Sequence, residues 1–341
     1  MDVTRKVVTR DHLEGAARAA LGDGRRLAGV ARLRGGSKKG VYRLTFDDDF
    51  TAIVYIWDDA ENFWPTTDPG DADGHTADDH TDPFSHASGI DLFQAANRRL
   101  DALGIRTPRI LLADRSRSHY PADIAVVEDV PGENLEALLR REPQRMEATL
   151  AALAETLGVM RRHTGPGFGK VALIDGGGVS RGRSCEQGVL DRALDDLAEA
   201  ASRDSRIGRV RRRLEEEVRG LAAAVRPRSE YGLIHGELGP DHVLVDRLGQ
   251  PVLIDIEGLM FFDVEWEHAF LRIRFREHYR WFDSRGLDEQ RLAFYTLAMR
   301  LSLVAGPLRL LDGDFPDRDA MMGIAEHNLQ QALAFLPSGD C

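Results

Sequence analysis

The sequence predicts an α+β chain of two lobes, a small antiparallel β lobe at the N-terminus and a larger, mainly helical lobe after it. Three observations predict this. Short β-rich runs separated by glycine or aspartate clusters fill residues 27–57. From Pro143 onward apolar residues return mostly with helical spacing. The two textures change over at VEDVPGENL, residues 127–135, so the expected division is 1–130 and 131–341.

Each element follows from a local pattern. Leu13, Ala16, Ala17, Ala20 and Leu21 share one face of an opening helix. Leu27 to Leu33, Val41 to Phe46 and Thr51 to Trp57 read as a meander of strands. Residues 58–88 are rich in Asp, Thr, Pro, Gly and His and predict a mobile loop of the first lobe. His75, His80 and His86 carry metal-ligand chemistry there, but no helix or strand fixes their geometry, and a solvated loop is expected. The run DLFQAANRRLDAL predicts a helix ending at Gly104, and Arg109 to Leu112 and Ile124 to Val127 complete the β lobe. Helices are expected over Pro143 to His163, over Glu186 to Val225, and about three times after Val264. Short apolar runs at Gly232 to Ile234, Val243 to Val245 and Val252 to Ile254 interrupt them.

Composition removes whole classes of function. A formal net charge of −11 disfavours nucleic-acid binding, which needs a basic surface to neutralise phosphates. No apolar run approaches the roughly 18 residues that suggest a membrane span, so no membrane partner and a cytoplasmic location are expected. Cys185 and Cys341 are the only cysteines, which leaves no disulfide framework and no cysteine metal cluster. The basic residues are nearly all arginine; lysine occurs only at Lys6, Lys38, Lys39 and Lys170, which makes the adjacent pair unusual.

The chemistry concentrates in LIHGELGPDHVLVDRLGQPVLIDIEG, residues 233–258. His235, Glu237, Asp241 and His242 precede one β-type run; Asp255 and Glu257 follow the next, and a hairpin brings the two groups together. Clustered carboxylates repel one another, and a divalent cation relieves the repulsion. Metal-assisted chemistry is one reading. The other is that Glu237 and Asp255 cap turns.

This segment resembles the catalytic and metal loops of the aminoglycoside phosphotransferase and choline kinase superfamily, whose pattern is H-G-D-x-x-x-x-N-x-L, a strand, then I-D. It stands here as His235-Gly236-Glu237-Leu238-Gly239-Pro240-Asp241-His242-Val243-Leu244, followed by Leu253-Ile254-Asp255. The order of elements from Leu27 to Phe270 is similar to that family's throughout. The resemblance implies a bilobal, protein-kinase-like fold and a magnesium-dependent transfer of the γ-phosphate of ATP or GTP to a hydroxyl of a small acceptor. An antibiotic of aminoglycoside type is favoured, with macrolides as the second class. It further implies that Glu237 accepts the hydroxyl proton, that His235 holds the loop, that Asp255 and His242 hold the metal, and that the backbone from Glu128 to Val130 faces the base.

Several positions depart from the pattern. Glutamate at 237 replaces aspartate, and histidine at 242 replaces asparagine, as it does in the macrolide kinase branch. The family's third-strand lysine, which touches the α and β phosphates, aligns with Val54; its glutamate partner is expected where Asp91, Phe93 and Gln94 stand. The replacement cation is sought in RGGSKKGVYRL. There Gly35, Gly36 and Gly40 allow close backbone approach, while Ser37, Lys38 and Lys39 offer donors. A hairpin tip with solvated lysines is the alternative; Lys170 is a lesser candidate. On the acceptor side Glu257, Asp263, Glu265 and Glu267 suit amino groups, or else simply complement a helix N-terminus. The departures also keep a second function open, a catalytically impaired relative that binds nucleotide or a small ligand without transfer.

Overall fold

Alternation of side chains along five strands decides what the first sheet buries. The computed structural model describes residues 7–33, 35–64, 80–85 and 87–336. Helix α1 (Arg10–Leu21) leads into β1 (Leu27–Arg32), β2 (Gly40–Phe46) and β3 (Thr51–Trp57); α2 (Ile90–Ala102), β4 (Ile110–Asp114) and β5 (Asp123–Glu128) follow. The strands pair antiparallel in the order β1-β2-β3-β5-β4. One face carries Tyr42, Leu44, Ala52, Val54, Ile56, Ile124 and Val126, which pack with Leu13, Ala16 and Ala17 of α1. The alternate residues Tyr55 and Trp57 face the other way and meet Phe93 of α2, with ring centroids 5.5 and 5.7 Å apart.

The chain then forms α3 (Leu135–Arg141), α4 (Glu147–Arg162), the two-residue strands β6 (Thr164–Gly165) and β7 (Gly169–Lys170), and α5 (Val171–Asp175). Two long helices, α6 (Cys185–Arg203) and α7 (Ser205–Ala224), occupy the stretch expected to be one helical run. Asp204 divides them. Its backbone is extended, and its side chain accepts from the Arg206 amide as the cap of α7. After these come β8 (Tyr231–Ile234), β9 (Val243–Val245), β10 (Pro251–Leu253), β11 (Met260–Phe262), α8 (Val264–Phe275), α9 (Glu289–Leu310) and α10 (Arg318–Leu333).

The chain divides into two compact units, 1–64 with 87–153 and 241–258, and 65–86 with 154–240 and 259–341. The expected single boundary near residue 130 therefore becomes several crossings. The β9–β10 hairpin belongs with the first sheet because Leu253 donates to the Arg106 carbonyl at 2.9 Å, Asn134 bridges to Leu244, and Thr149 donates to the Gly249 carbonyl at 2.9 Å. Much of the loop expected over 58–88 lies outside the described residues. Its beginning is ordered as a 3-10 turn over Asp59–Glu61.

In the second unit β6, β8, β11 and β7 form a small sheet, and a charged cluster lies buried beside it. Arg291 is 1% exposed and donates to Asp263, to the Tyr295 hydroxyl at 3.0 Å and to the Arg226 carbonyl. Removing one partner of such a pair strands the other charge out of water. Arg291→Ala is expected to cost about 3–5 kcal/mol in thermal unfolding. Arg212→Ala, which breaks only the exposed pair with Glu216, is expected to stay within about 0.5 kcal/mol in the same measurement.

Candidate active site

The glycine-rich loop turns one lysine inward. Gly35 and Gly36 have φ of 97° and 77°, a region unfavourable to other residues, and a Cβ on Gly36 would lie 2.8 Å from the Lys39 carbonyl oxygen. The loop is braced from the segment that follows β3. The Phe63 amide donates to the Ser37 carbonyl at 2.8 Å, and Trp64 Nε1 donates to Ser37 Oγ at 2.9 Å. Glu61, buried, accepts from the Tyr42 hydroxyl at 2.5 Å and pairs with Arg32 at 2.7 Å. Lys39 emerges from this frame 7% exposed.

Lys39 Nζ lies 2.9 Å from Asp255 Oδ1, hydrogen-bonds Glu257 Oε1, and sits 4.9 Å from the Tyr55 ring centroid. Burial alone would lower the Lys39 pKa, but Glu257 and then Asp255 overcome it and hold the ammonium well above its ordinary range. Burial would likewise raise Asp255; Lys39, followed by His242, holds that carboxyl well below the usual carboxylate range. Burial pushes the Tyr55 phenol up to about 12, so it stays neutral.

Asp255 has φ of 58°, a left-handed conformation that aspartate tolerates better than most residues. It follows β10, and the β9–β10 hairpin sets it beside His242. Ile254 donates to the His242 carbonyl at 3.0 Å, and His242 Nε2 stands 3.6 Å from Asp255 Oδ2. Asp255 keeps 46% of its side chain exposed. Among the described residues no group of three His, Cys, Asp or Glu side chains forms a metal cage. The pair Asp255 and His242 fits a cation that brings most of its oxygen ligands with it, as magnesium does on a phosphate chain.

In the second unit, β8 delivers His235, Gly236 and Glu237. His235 is 1% exposed, Gly236 has φ of 93°, and Glu237 alone is exposed in the otherwise buried run 231–240. Glu267 of α8 holds this turn, its Oε2 accepting from the His235 and Gly236 amides at 2.6 and 3.0 Å. The geometry presents one carboxylate to solvent from a rigid base.

Several expectations are corrected. Val54 does not occupy the strand position that faces the lysine site; the two-residue period turns it onto α1, and Tyr55 lies under Lys39 instead. The acidic patch is not an open face for amino groups. Glu257 is 3% exposed against Lys39; Asp263 is buried with Arg291; Glu265 is buried and accepts from Arg228 at 2.7 and 3.0 Å; Glu267 holds the Glu237 turn. Lys170 is 1% exposed and donates to Ser85, carbonyl and hydroxyl, so it is a packing group. The Glu128 amide donates to the Arg109 carbonyl at 2.9 Å and its side chain accepts from Arg106; Val130 is 4% exposed. His75 and His86 lie outside the described residues. Sequence reasoning missed Tyr55, which lies on β3, and Glu61 and Trp64, which follow it, and their place along the chain was their only signal.

Comparison with known proteins gives the family and the fold. The model of APH, the phosphotransferase enzyme family, matches residues 31–301. No curated protein sequence matches the chain. Among solved structures, a thermostable mutant of aminoglycoside phosphotransferase APH(4)-Ia in ternary complex with ADP and hygromycin B is similar at 16% identity and a TM-score of 0.62, over 96% of this chain and 99% of that one. The GDP and kanamycin complex of APH(2")-IIia is similar at 15% identity and a TM-score of 0.58, over 93% and 96%. LicA in complex with AMP is similar at 13% identity and a TM-score of 0.58, over 96% and 98%. At these identities the likeness establishes a shared kinase-like fold.

The Lys39 cluster should register in stability. Lys39→Met is expected to lower the melting temperature because it leaves two neighbouring carboxylates without their cation. A double-mutant cycle with Glu257→Gln should return a coupling of about 1.5–3 kcal/mol. Lys38→Met, on a partly exposed side chain, should change stability by less than about 0.5 kcal/mol.

Proposed function

Because the chain belongs to the APH phosphotransferase enzyme family, we propose that it moves the γ-phosphate of ATP or GTP onto a hydroxyl of an antibiotic-like small molecule, with magnesium as the accompanying cation. The observation that carries the reading is the meeting of Lys39, from a glycine-rich loop, with Asp255, at the end of the β9–β10 hairpin, 2.9 Å apart. A cation for phosphate oxygens and a carboxylate for a metal thus share one place. Asp255 and His242 would hold magnesium, which when bound supplies charge neutralisation on the phosphate oxygens.

The chain's own residues do the rest. Lys39 meets the phosphate chain, with Lys38 and the backbone of Gly35, Gly36 and Ser37 around it. Val130 lies at the segment that faces the base. Glu237 accepts the acceptor's hydroxyl proton as that oxygen bonds to phosphorus; the bond from phosphorus to the bridging oxygen breaks, and a nucleoside diphosphate leaves. His235 keeps the turn in shape while Glu267 ties its amides. The acceptor proposed first is an aminoglycoside, supported by the likeness to proteins solved with hygromycin B and kanamycin. Macrolides come second, supported by His242. The buried acids Asp263, Glu265 and Glu267 give aminoglycosides no added support.

A second reading, nucleotide binding without transfer, is favoured by Glu237 and His242 where the family's pattern has aspartate and asparagine. One experiment separates the two. The protein is incubated with magnesium and either ATP or GTP against aminoglycosides, macrolides, choline and sugar-like alcohols, and product mass is read. Gain of one phosphoryl group on an acceptor supports transfer; nucleotide binding with no phosphorylated product supports the second reading. With an acceptor in hand, Glu237→Ala and Asp255→Ala are each expected to lower kcat by at least about 100-fold. Turnover surviving both substitutions contradicts the assigned roles.

A further inference from the structure

Two carboxylates compete for Lys39, and they differ in everything but charge. Glu257 is buried at 3% exposure in the 3-10 turn Ile256–Gly258, which packs on α2, whereas Asp255 keeps 46% of its side chain in reach of solvent. Glu257 gives Oε1 to Lys39, and its buried Oε2 makes no hydrogen bond among the described residues. Asp255 gives Oδ1 to Lys39 and turns Oδ2 toward His242. One acid is a buried anchor whose partner among the described residues is Lys39. The other is a half-open group with two neighbours.

We infer that Glu257 is the positioning residue for Lys39: it keeps the ammonium beside the phosphate site when Asp255 gives Lys39 up to the cation that arrives with nucleotide. The inference rests on the phosphotransferase reading. Two carboxylates this close need a positive charge between them. In this structure Lys39 supplies it to both. Once Asp255 turns to an incoming cation, an ammonium without Glu257 would have no carboxylate left and would resist leaving Asp255. With Glu257 in place it stays charged, buried and aimed. Glu257 touches neither nucleotide nor acceptor in this role.

The consequence is a signature that simple loss of packing does not give. Without Glu257, Lys39 has Asp255 as its only acid and becomes a direct competitor of the metal. The test is equilibrium binding of a non-hydrolysable nucleoside triphosphate analogue to the full chain, titrated with magnesium. Glu257→Gln is expected to raise the magnesium concentration for half-maximal binding about tenfold, the scale of one charge-assisted hydrogen bond. Glu257→Asp, which keeps the charge, should raise it less, and it carries the test if Glu257→Gln does not fold. In the double variant Lys39→Met with Glu257→Gln the competitor is gone; the magnesium requirement should return to the wild-type value or below, while affinity for the analogue stays weakened. An unchanged requirement in both Glu257 variants, or a rise that persists in the double variant, overturns the inference and leaves the phosphotransferase reading standing. Failure of the wild-type chain to bind the analogue at any magnesium concentration overturns that reading and the inference with it.

Discussion

One buried ammonium held between two carboxylates is the constraint around which the first unit is arranged. Lys39 comes from a loop, so the loop must approach the end of the β9–β10 hairpin closely and stay there. Glycines at 35 and 36 supply the left-handed backbone, and Glu61, Phe63, Trp64 and Ser88 pin the turn through Tyr42, Ser37 and the Lys38 carbonyl. Tyr55, on the strand beneath, offers an aromatic face in place of a second charge. A lysine added on the strand beside Lys39 would place two cations against the same acids.

The second unit solves a different problem with the same means. Its acids are sequestered, and each holds a neighbour in place. Asp263 closes on Arg291 and Tyr295, Glu265 on Arg228 and the Asp288 amide, and Glu267 on the turn that carries Glu237. Buried charges of this kind add little net stability, but each becomes costly when a partner is lost. Of the three acids between residues 263 and 267, Glu267 alone ties the turn of the exposed Glu237, while Asp263 and Glu265 are taken up by Arg291 and Arg228. The longer Glu237 side chain is compatible with a turn set by its own braces.

Much of this was legible in the residues. The meander, the helix after it and the β9–β10 hairpin follow from alternation, turn residues and apolar spacing, and they lie close to where those patterns put them. The hairpin also placed Asp255 near His242. Lys39 stood out because lysine is rare in this chain, and its partners Asp255 and Glu257 were already candidates for other reasons. What a linear reading could not supply was the sign of each environment. Whether an acid faces water or an arginine depends on Arg228 and Arg291, which lie far from it in sequence. Val54 and Tyr55 likewise point to opposite faces of one strand, and it is Tyr55 that lies against Lys39. The braces Glu61 and Trp64 fell in a stretch whose composition resembles the loop beyond it, and the Asp204 break was hidden in continuous helical spacing.

On the proposed function, the loop cation Lys39 contacts the phosphates of the nucleotide. The most direct measurement is the ratio of affinities for a nucleoside triphosphate analogue and for the parent nucleoside, compared between the wild-type chain, Lys39→Met and Lys38→Met. Lys39→Met is expected to lower this ratio at least about tenfold while nucleoside binding is unchanged, and Lys38→Met to lower it less. Equal ratios in wild type and Lys39→Met would contradict it.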